Sequence, residues 1–193
     1  MSSSEPKFCA TCGCTLTTAG PGTTLVCVAC HKVVYQGPSV VVMTLIFAED
    51  RILLLKRGTA PYIGTWAPPG GFIEANESAE AAGVREIAEE VGLRLDSSQL
   101  VPHGIISIPT INQVCLSFLA VLNCMYTPKP TAPEALDARW FTLDEFPHQA
   151  MWSPAAAFDI ADLFRQVRTR RFHFYQTTGK LVRLFGPDFA ITS

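Results

Sequence analysis

Residues 70–93 read GGFIEANESAEAAGVREIAEEVGL, and the rest of the chain is best understood outward from them. A glycine-rich turn leads into a segment with helix punctuation at both ends. Ser78 suits the N-cap, Glu80 complements the positive end of the helix dipole, and Gly92 suits the C-terminal cap. At 3.6 residues per turn, Glu86, Glu89 and Glu90 fall within roughly 100° of the helix surface. Val84, Ile87 and Val91 occupy the neighbouring face, so the acids border a stripe that packs inward. Carboxylates at i, i+3 and i+4 repel by roughly 0.2–0.5 kcal/mol per pair even when exposed. A solvated acidic helix is one reading of such a run, and a bound cation that offsets the repulsion is the other.

The spacing of the whole stretch separates the two. Gly71, five residues, Glu77, seven residues, then Arg85-Glu86-Ile87-Ala88-Glu89-Glu90-Val91-Gly92-Leu93 matches the Nudix box at every specified position. The chain therefore resembles the Nudix hydrolases, which use divalent metal to cleave nucleoside diphosphates linked to another moiety. The resemblance implies an α/β (α+β) sandwich with a mixed sheet between helices. It also implies that Glu86, Glu89 and Glu90 hold Mg²⁺ or Mn²⁺, with the Gly70 carbonyl as a further ligand. Arg85 would orient a helix glutamate, Glu77 would brace loop against helix, and Gly71 and Gly92 would permit the turns at either end. The general base varies within the family; Glu86 is one candidate and Glu134, six residues before Trp140, is the other. Lys56 and Arg57, at the end of an expected strand, are candidates for substrate phosphates.

Seven cysteines lie at 9, 12, 14, 27, 30, 115 and 124, five of them in the first thirty residues. Cys9-Ala-Thr-Cys12 and Cys27-Val-Ala-Cys30 are knuckles fourteen residues apart, a spacing that suits four thiolates around a structural zinc. A thioredoxin-like redox pair would need a single such motif in a βαβ setting. Cys14 and His31 are possible substitute ligands. Lys7 and Lys32 are the only Lys or Arg residues before residue 37, so a nucleic-acid-binding ribbon is not expected.

The whole chain, 193 residues with 48% apolar and 17% charged residues and a net charge of −2, is long enough for one well-filled domain with a small appendage. No apolar run approaches the ~20 residues of a membrane helix, and the first residues lack a signal-peptide pattern, so the cytosol is the expected compartment. The expected division is a zinc ribbon at 1–36, the Nudix domain at 37–168 and a tail at 169–193. Strands are expected at Val40–Ala48, Arg51–Lys56, Leu100–Ile108, Val114–Leu122 and, as the last of the set, Asp137–Phe141. A turn of helix is expected at Leu143–Phe146 and an amphipathic helix at Pro154–Arg168. In the tail, Arg168, Arg170 and Arg171 beside Phe172–Tyr175 are a combination that can stack bases, but a turn at Thr178–Lys180 makes a hairpin docked on the domain or on a second subunit the plainer expectation.

The resemblance extends beyond the box. CATC…CVACHKVVYQGP, KRGTAPYIGTWAPPGG, SIPTINQVCLSFLA and PEALDARWFTLDEFP look like a ribbon-bearing Nudix group that includes plant diphosphatases acting on FAD and ADP-ribose. In the entry to the box, Pro68 replaces the family's usual leucine. Pro109 fits a proline found in ADP-ribose-cleaving members. The Ser-Gln-Pro-Trp-Pro-Phe signature of the group acting on NADH and NAD-capped RNA is replaced by Ser107-Ile-Pro-Thr. The resemblance thus implies an Mg²⁺-dependent diphosphatase releasing AMP from ADP-ribose or FAD, with a nucleotide-derived small molecule as partner and a homodimer as assembly. An NADH or NAD-cap diphosphatase and a non-catalytic ADP-ribose sensor are the alternatives. Sensors typically lose box glutamates, and every one is present here.

Overall fold

The computed structural model describes residues 8–19, 24–35, 37–152, 159–178 and 181–190, the last ten and residue 178 as backbone. Three short strands, β1 (Leu16–Thr18), β2 (Thr24–Cys27) and β3 (Val33–Tyr35), form an antiparallel sheet of their own. The remaining elements are β4 (Ser39–Ala48), β5 (Arg51–Arg57), β6 (Trp66–Ala67), α1 (Ala79–Val91), β7 (Val101–Ile108), β8 (Gln113–Leu122), β9 (Ala135–Phe141), α2 (Ile160–Thr169), β10 (Arg171–Thr178) and β11 (Leu181–Ala190). Their strands make one mixed sheet in the order β11-β10-β7-β8-β4-β5-β6, with β9 on β5.

The apolar run of β4 is buried throughout from Val41, and its alternation divides the core in two. Val41, Met43, Leu45 and Phe47 face Ile160, Leu163, Phe164 and Val167 of α2. Val42 and Ile46 face Ala82, Ile87 and Val91 of α1 on the opposite side. Phe47 and Phe164 meet edge to face at 5.3 Å, a geometry that adds about 0.5–1.5 kcal/mol to the area they bury. The result is the helix–sheet–helix sandwich expected from the resemblance.

α1 begins and ends as its sequence dictates. The Ser78 side chain accepts from the Ala81 amide at 3.1 Å, and Gly92 turns into the left-handed region at φ 72°. Gly83 packs between the sheet and Leu100: a Cβ there would lie 3.5 Å from Thr44 Oγ1 of β4 and 2.8 Å from Leu100 Cδ1, which would have to shift.

Several elements differ from expectation. Trp66–Ala67 is a strand on β5, unrecognised in the sequence because two residues carry no periodicity. Residues 143–145 form a turn, and the helical turn falls later, at His148–Ala150. β9 is not the last strand. β10 runs parallel to β7 and pairs with β11, so a hairpin extends the sheet beyond it. Of the helix expected at 154–168, the described part begins at Ile160; residues 154–158 and the hairpin turn at 179–180 lie outside the described residues.

Candidate active site and cysteine cluster

β4 and β5 pair only over Ile46–Ala48, next to the turn that joins them. Beyond that point they splay, and residues 66–73 are woven into the gap. Trp66 and Ala67 pair with β5, after which the chain crosses to β4. Thr44 N donates to Pro69 O at 2.9 Å, Val42 N to Gly71 O at 2.8 Å, and Ile73 N to Val40 O at 3.2 Å. The glycine turn is thus a rigid pseudo-strand. At Gly70 a Cβ would lie 2.1 Å from Val42 O, and at Gly71 it would lie 2.3 Å from Glu86 Oε1. Backbone forbids a side chain at the first position, and at the second a side chain would push the Glu86 carboxylate from its place.

This pseudo-strand faces the acidic side of α1 across a cleft of about 470 Å³. Glu86 and Glu90 are only 9% and 7% exposed, whereas Glu89 stands at the rim. The mutual repulsion of the three is offset in part by the protein itself. Arg85 donates to Glu86 Oε1 at 2.8 Å and to Glu89 Oε2 at 3.2 Å. The same guanidinium donates to Glu77 at 2.7 and 3.2 Å and to Phe72 O at 3.0 Å. Glu77 in turn accepts from the Glu74 amide at 2.6 Å, and its carboxyl is held below the usual range chiefly by Arg85. Arg85 and Glu77 therefore tie loop and helix together, as a bidentate charge-assisted pair can.

Glu90 forms no ion pair of this kind among the described residues. Its Oε2 accepts from the Gly70 amide at 2.9 Å, and burial pushes its carboxyl up to about 8, with the charges of Glu86 and Glu134 adding to the effect. Burial raises the Glu86 carboxyl as well, against the pull of Arg85. Two desolvated carboxylates beside a carbonyl-rich loop form a hard oxygen donor set, the kind that Mg²⁺ and Mn²⁺ prefer. The residues present fit such an ion.

Glu134 also lines the cleft, and the sequence did not reveal what holds it there. Lys129 N donates to Val91 O at 2.8 Å and Thr131 N to Glu90 O at 3.1 Å, so the proline-rich loop satisfies the last carbonyls of α1. Gly58 N donates to Glu134 O at 2.8 Å, and a Cβ on Gly58 would lie 1.8 Å from Pro133 O. Of the two cations expected near phosphate, only Arg57 lines the cleft. Lys56 does not, because successive strand residues point to opposite faces. The Arg57 guanidinium carbon lies 5.7 Å above the Trp152 ring, and its buried Nε has no hydrogen-bond partner among the described residues.

Away from the cleft, Cys9, Cys12, Cys27 and Cys30 bring their Sγ atoms within 4.8 Å of one another. Cys9 Sγ is 3.7 Å from Cys30 Sγ and Cys12 Sγ is 3.4 Å from Cys27 Sγ. The edge of a tetrathiolate tetrahedron around zinc is about 3.8 Å, so the cluster is shaped for such an ion. Backbone amides of Thr11 and Cys12 lower the Cys9 thiol to about 6, and the Cys30 amide lowers Cys27. Cys14 and His31 are outside the cluster.

A Nudix box whose acids converge on one cleft, carried on this sandwich, defines a class, and the NUDIX domain family model matches residues 37–161. The chain belongs to the Nudix family. It is 35% identical over 118 residues to an ADP-ribose pyrophosphatase of Methanocaldococcus jannaschii, covering 60% of this chain and 69% of that protein. It is also 30% identical over 146 residues to the NAD-capped RNA hydrolase NudC of Stutzerimonas stutzeri, covering 75% of this chain and 51% of the other. The chain thus spans about half the length of its NudC relatives. Among solved structures, a NUDIX hydrolase from Nitrosomonas europaea superposes with a TM-score of 0.71 at 31% identity, covering 89% of this chain and 99% of that one.

Proposed function

We propose that this protein is a divalent-metal-dependent diphosphatase that hydrolyses a dinucleotide-type substrate, ADP-ribose or FAD, to AMP and the other phosphate. The observation that carries the reading is the pair of buried carboxylates, Glu86 and Glu90, set in one cleft with Arg57 and braced by Arg85. Glu86, Glu89 and Glu90, with the Gly70 carbonyl, would hold Mg²⁺ or Mn²⁺. When bound, the metal neutralises diphosphate charge and lowers the pKa of a coordinated water.

The chain's own residues do the rest. Arg57, half-buried with its Nε unpaired among the described residues, offers its guanidinium to a phosphate oxygen, a match of planar donor to anion. Arg85 keeps Glu86 aimed into the cleft. Water attacks one phosphorus, the P–O–P anhydride bond breaks, and the attacking water's proton passes to a carboxylate, either Glu86 or the exposed Glu134 across the cleft. The Cys₄ cluster would hold a structural zinc and serve folding, since a closed tetrathiolate has no open position for chemistry. We divide the chain into ribbon 1–36, Nudix domain 37–168 and tail 169–193.

ADP-ribose is favoured by the similarity to the M. jannaschii ADP-ribose pyrophosphatase. A second reading, an NADH or NAD-cap diphosphatase, draws support from the NudC relatives, whose similarity runs over 146 residues. The test is AMP release from ADP-ribose, FAD and NADH with Mg²⁺. The fastest turnover on ADP-ribose or FAD is expected; preference for NADH favours the second reading, and no turnover on any of the three overturns the enzyme reading.

A further inference from the structure

The cleft has a second end that the hydrolytic chemistry does not use. Val41 on β4 lies opposite Cys115 on β8, and Phe72 forms an isolated bridge to Val41. Residues directly opposite in neighbouring strands share a face, as do residues two apart along one strand. Phe72, Val41, Cys115 and Gln113 therefore present their side chains on the same side of the sheet, and all four line the cleft. This is the α2 side, because Val41 and Cys115 belong to the core beneath that helix. The carboxylates stand on the α1 side, so the cleft wraps from one face to the other around residues 70–72.

Val41 and Cys115 make a flat apolar floor, 8% and 1% exposed respectively. Phe72 and Ile111 rise beside it as exposed apolar groups. Two strand spacings across and two residues along separate the Phe72 and Gln113 Cα atoms by about 12 Å, which leaves room for one planar bicyclic ring lying on the floor. Gln113 is the one carboxamide in the lining. It is half-buried, and its side chain makes no hydrogen bond to a described residue. A carboxamide presents one donor beside one acceptor, which matches the edge of adenine, where the 6-amino group adjoins a ring nitrogen.

We propose that Gln113 is the base-reading residue, pairing with the adenine edge of the substrate while the ring lies on Val41 and Cys115 beside Phe72. This rests on the ADP-linked reading above and adds where the adenosine half sits: on the α2 side, with the diphosphate running around the glycine turn toward Glu86 and Glu90. Gln113 is a specificity-determining residue, and it takes no part in bond cleavage.

The test uses the full chain with Mg²⁺ and two ligands that differ by one group, AMP and purine riboside 5′-monophosphate, which lacks the 6-amino group. Isothermal titration of the wild type should show AMP bound about five- to a hundredfold more tightly, the range of one bidentate base contact. Gln113→Leu should bring the ratio close to one with the melting temperature unchanged. A wild-type ratio near one, or the same ratio in wild type and variant, overturns the proposal. Gln113→Glu, nearly isosteric, offers two acceptors and should shift the AMP-to-GMP ratio toward GMP, whose N1 and N2 both donate; an unshifted ratio also overturns it. AMP release from ADP-ribose separates this proposal from the one it rests on. Turnover with equal ratios removes only the Gln113 assignment, and altered ratios without turnover remove only the hydrolase reading.

Discussion

Glu90 Oε2 accepts the Gly70 amide at 2.9 Å, so a single hydrogen bond joins the acidic face of α1 to the pseudo-strand wedged between β4 and β5. That bond aims a carboxylate that forms no ion pair among the described residues and feels only the more distant charge of Arg57. Glu90→Gln keeps an acceptor for Gly70 and removes the charge. The variant is expected to lose on the order of 10²–10³ in kcat/KM for AMP release, a loss typical of one preorganised electrostatic group. Its melting temperature without metal should match or exceed that of the wild type, because an amide is cheaper to bury than a carboxylate. Wild-type turnover in Glu90→Gln would refute the assignment of Glu90 as a ligand.

Glu90 also makes metal uptake pH-dependent. The carboxyl ionises near 4.5 in the unfolded chain and at about 8 in the folded one. Between those values the folded, metal-free protein holds a proton that the unfolded chain releases. Its contribution therefore favours the folded state at the acid end of this window and is lost as pH rises through it. A metal ion must displace the proton, so Mg²⁺ affinity should climb with pH up to about 8 and then level off. Calorimetry at pH 7 in buffers of different ionisation enthalpy should register proton release on Mg²⁺ binding. Identical heats in all buffers would contradict this.

Arg85 bridges Glu77, Glu86, Glu89 and the Phe72 carbonyl, which a lysine cannot do with one ammonium. Arg85→Lys should reduce Mg²⁺ affinity or kcat/KM by about 10–100-fold, the usual effect of losing a group that orients metal ligands. Glu77→Gln should fall in the same direction with a smaller loss, since the Glu74 amide still has an acceptor. Mg²⁺ titrations on both variants check the ranking.

The cysteine cluster should behave independently of the cleft. Elemental analysis is expected to find one zinc per chain in the wild type and none in Cys27→Ser. Removing the zinc with a chelator, followed by excess Mg²⁺, should lower the thermal stability of the chain while kcat on ADP-ribose is retained. A parallel loss of kcat would give the ribbon a part in the active site.

The reach of the linear sequence is uneven across these features, and for identifiable reasons. The placement of Gly71, Glu77, Arg85 and the three glutamates was legible because it is set by spacing along one loop and one helix. The caps at Ser78 and Gly92 were legible for the same reason, as were the two-sided burial of β4 and the two cysteine knuckles. Strand β6 and the turn at His148–Ala150 were not, being too short to carry a period.

Contacts between distant segments required the folded chain. The splay of β4 from β5, the seating of the Glu134 loop on the last carbonyls of α1, the choice of Arg57 over Lys56, and the row that sets Gln113 beside Phe72 all join residues far apart in sequence. Local spacing determines which side chains share a helix face or a knuckle, because backbone periodicity is local. Which of those faces meet, and what lies between them, is decided by sheet register and burial, which depend on the whole chain at once.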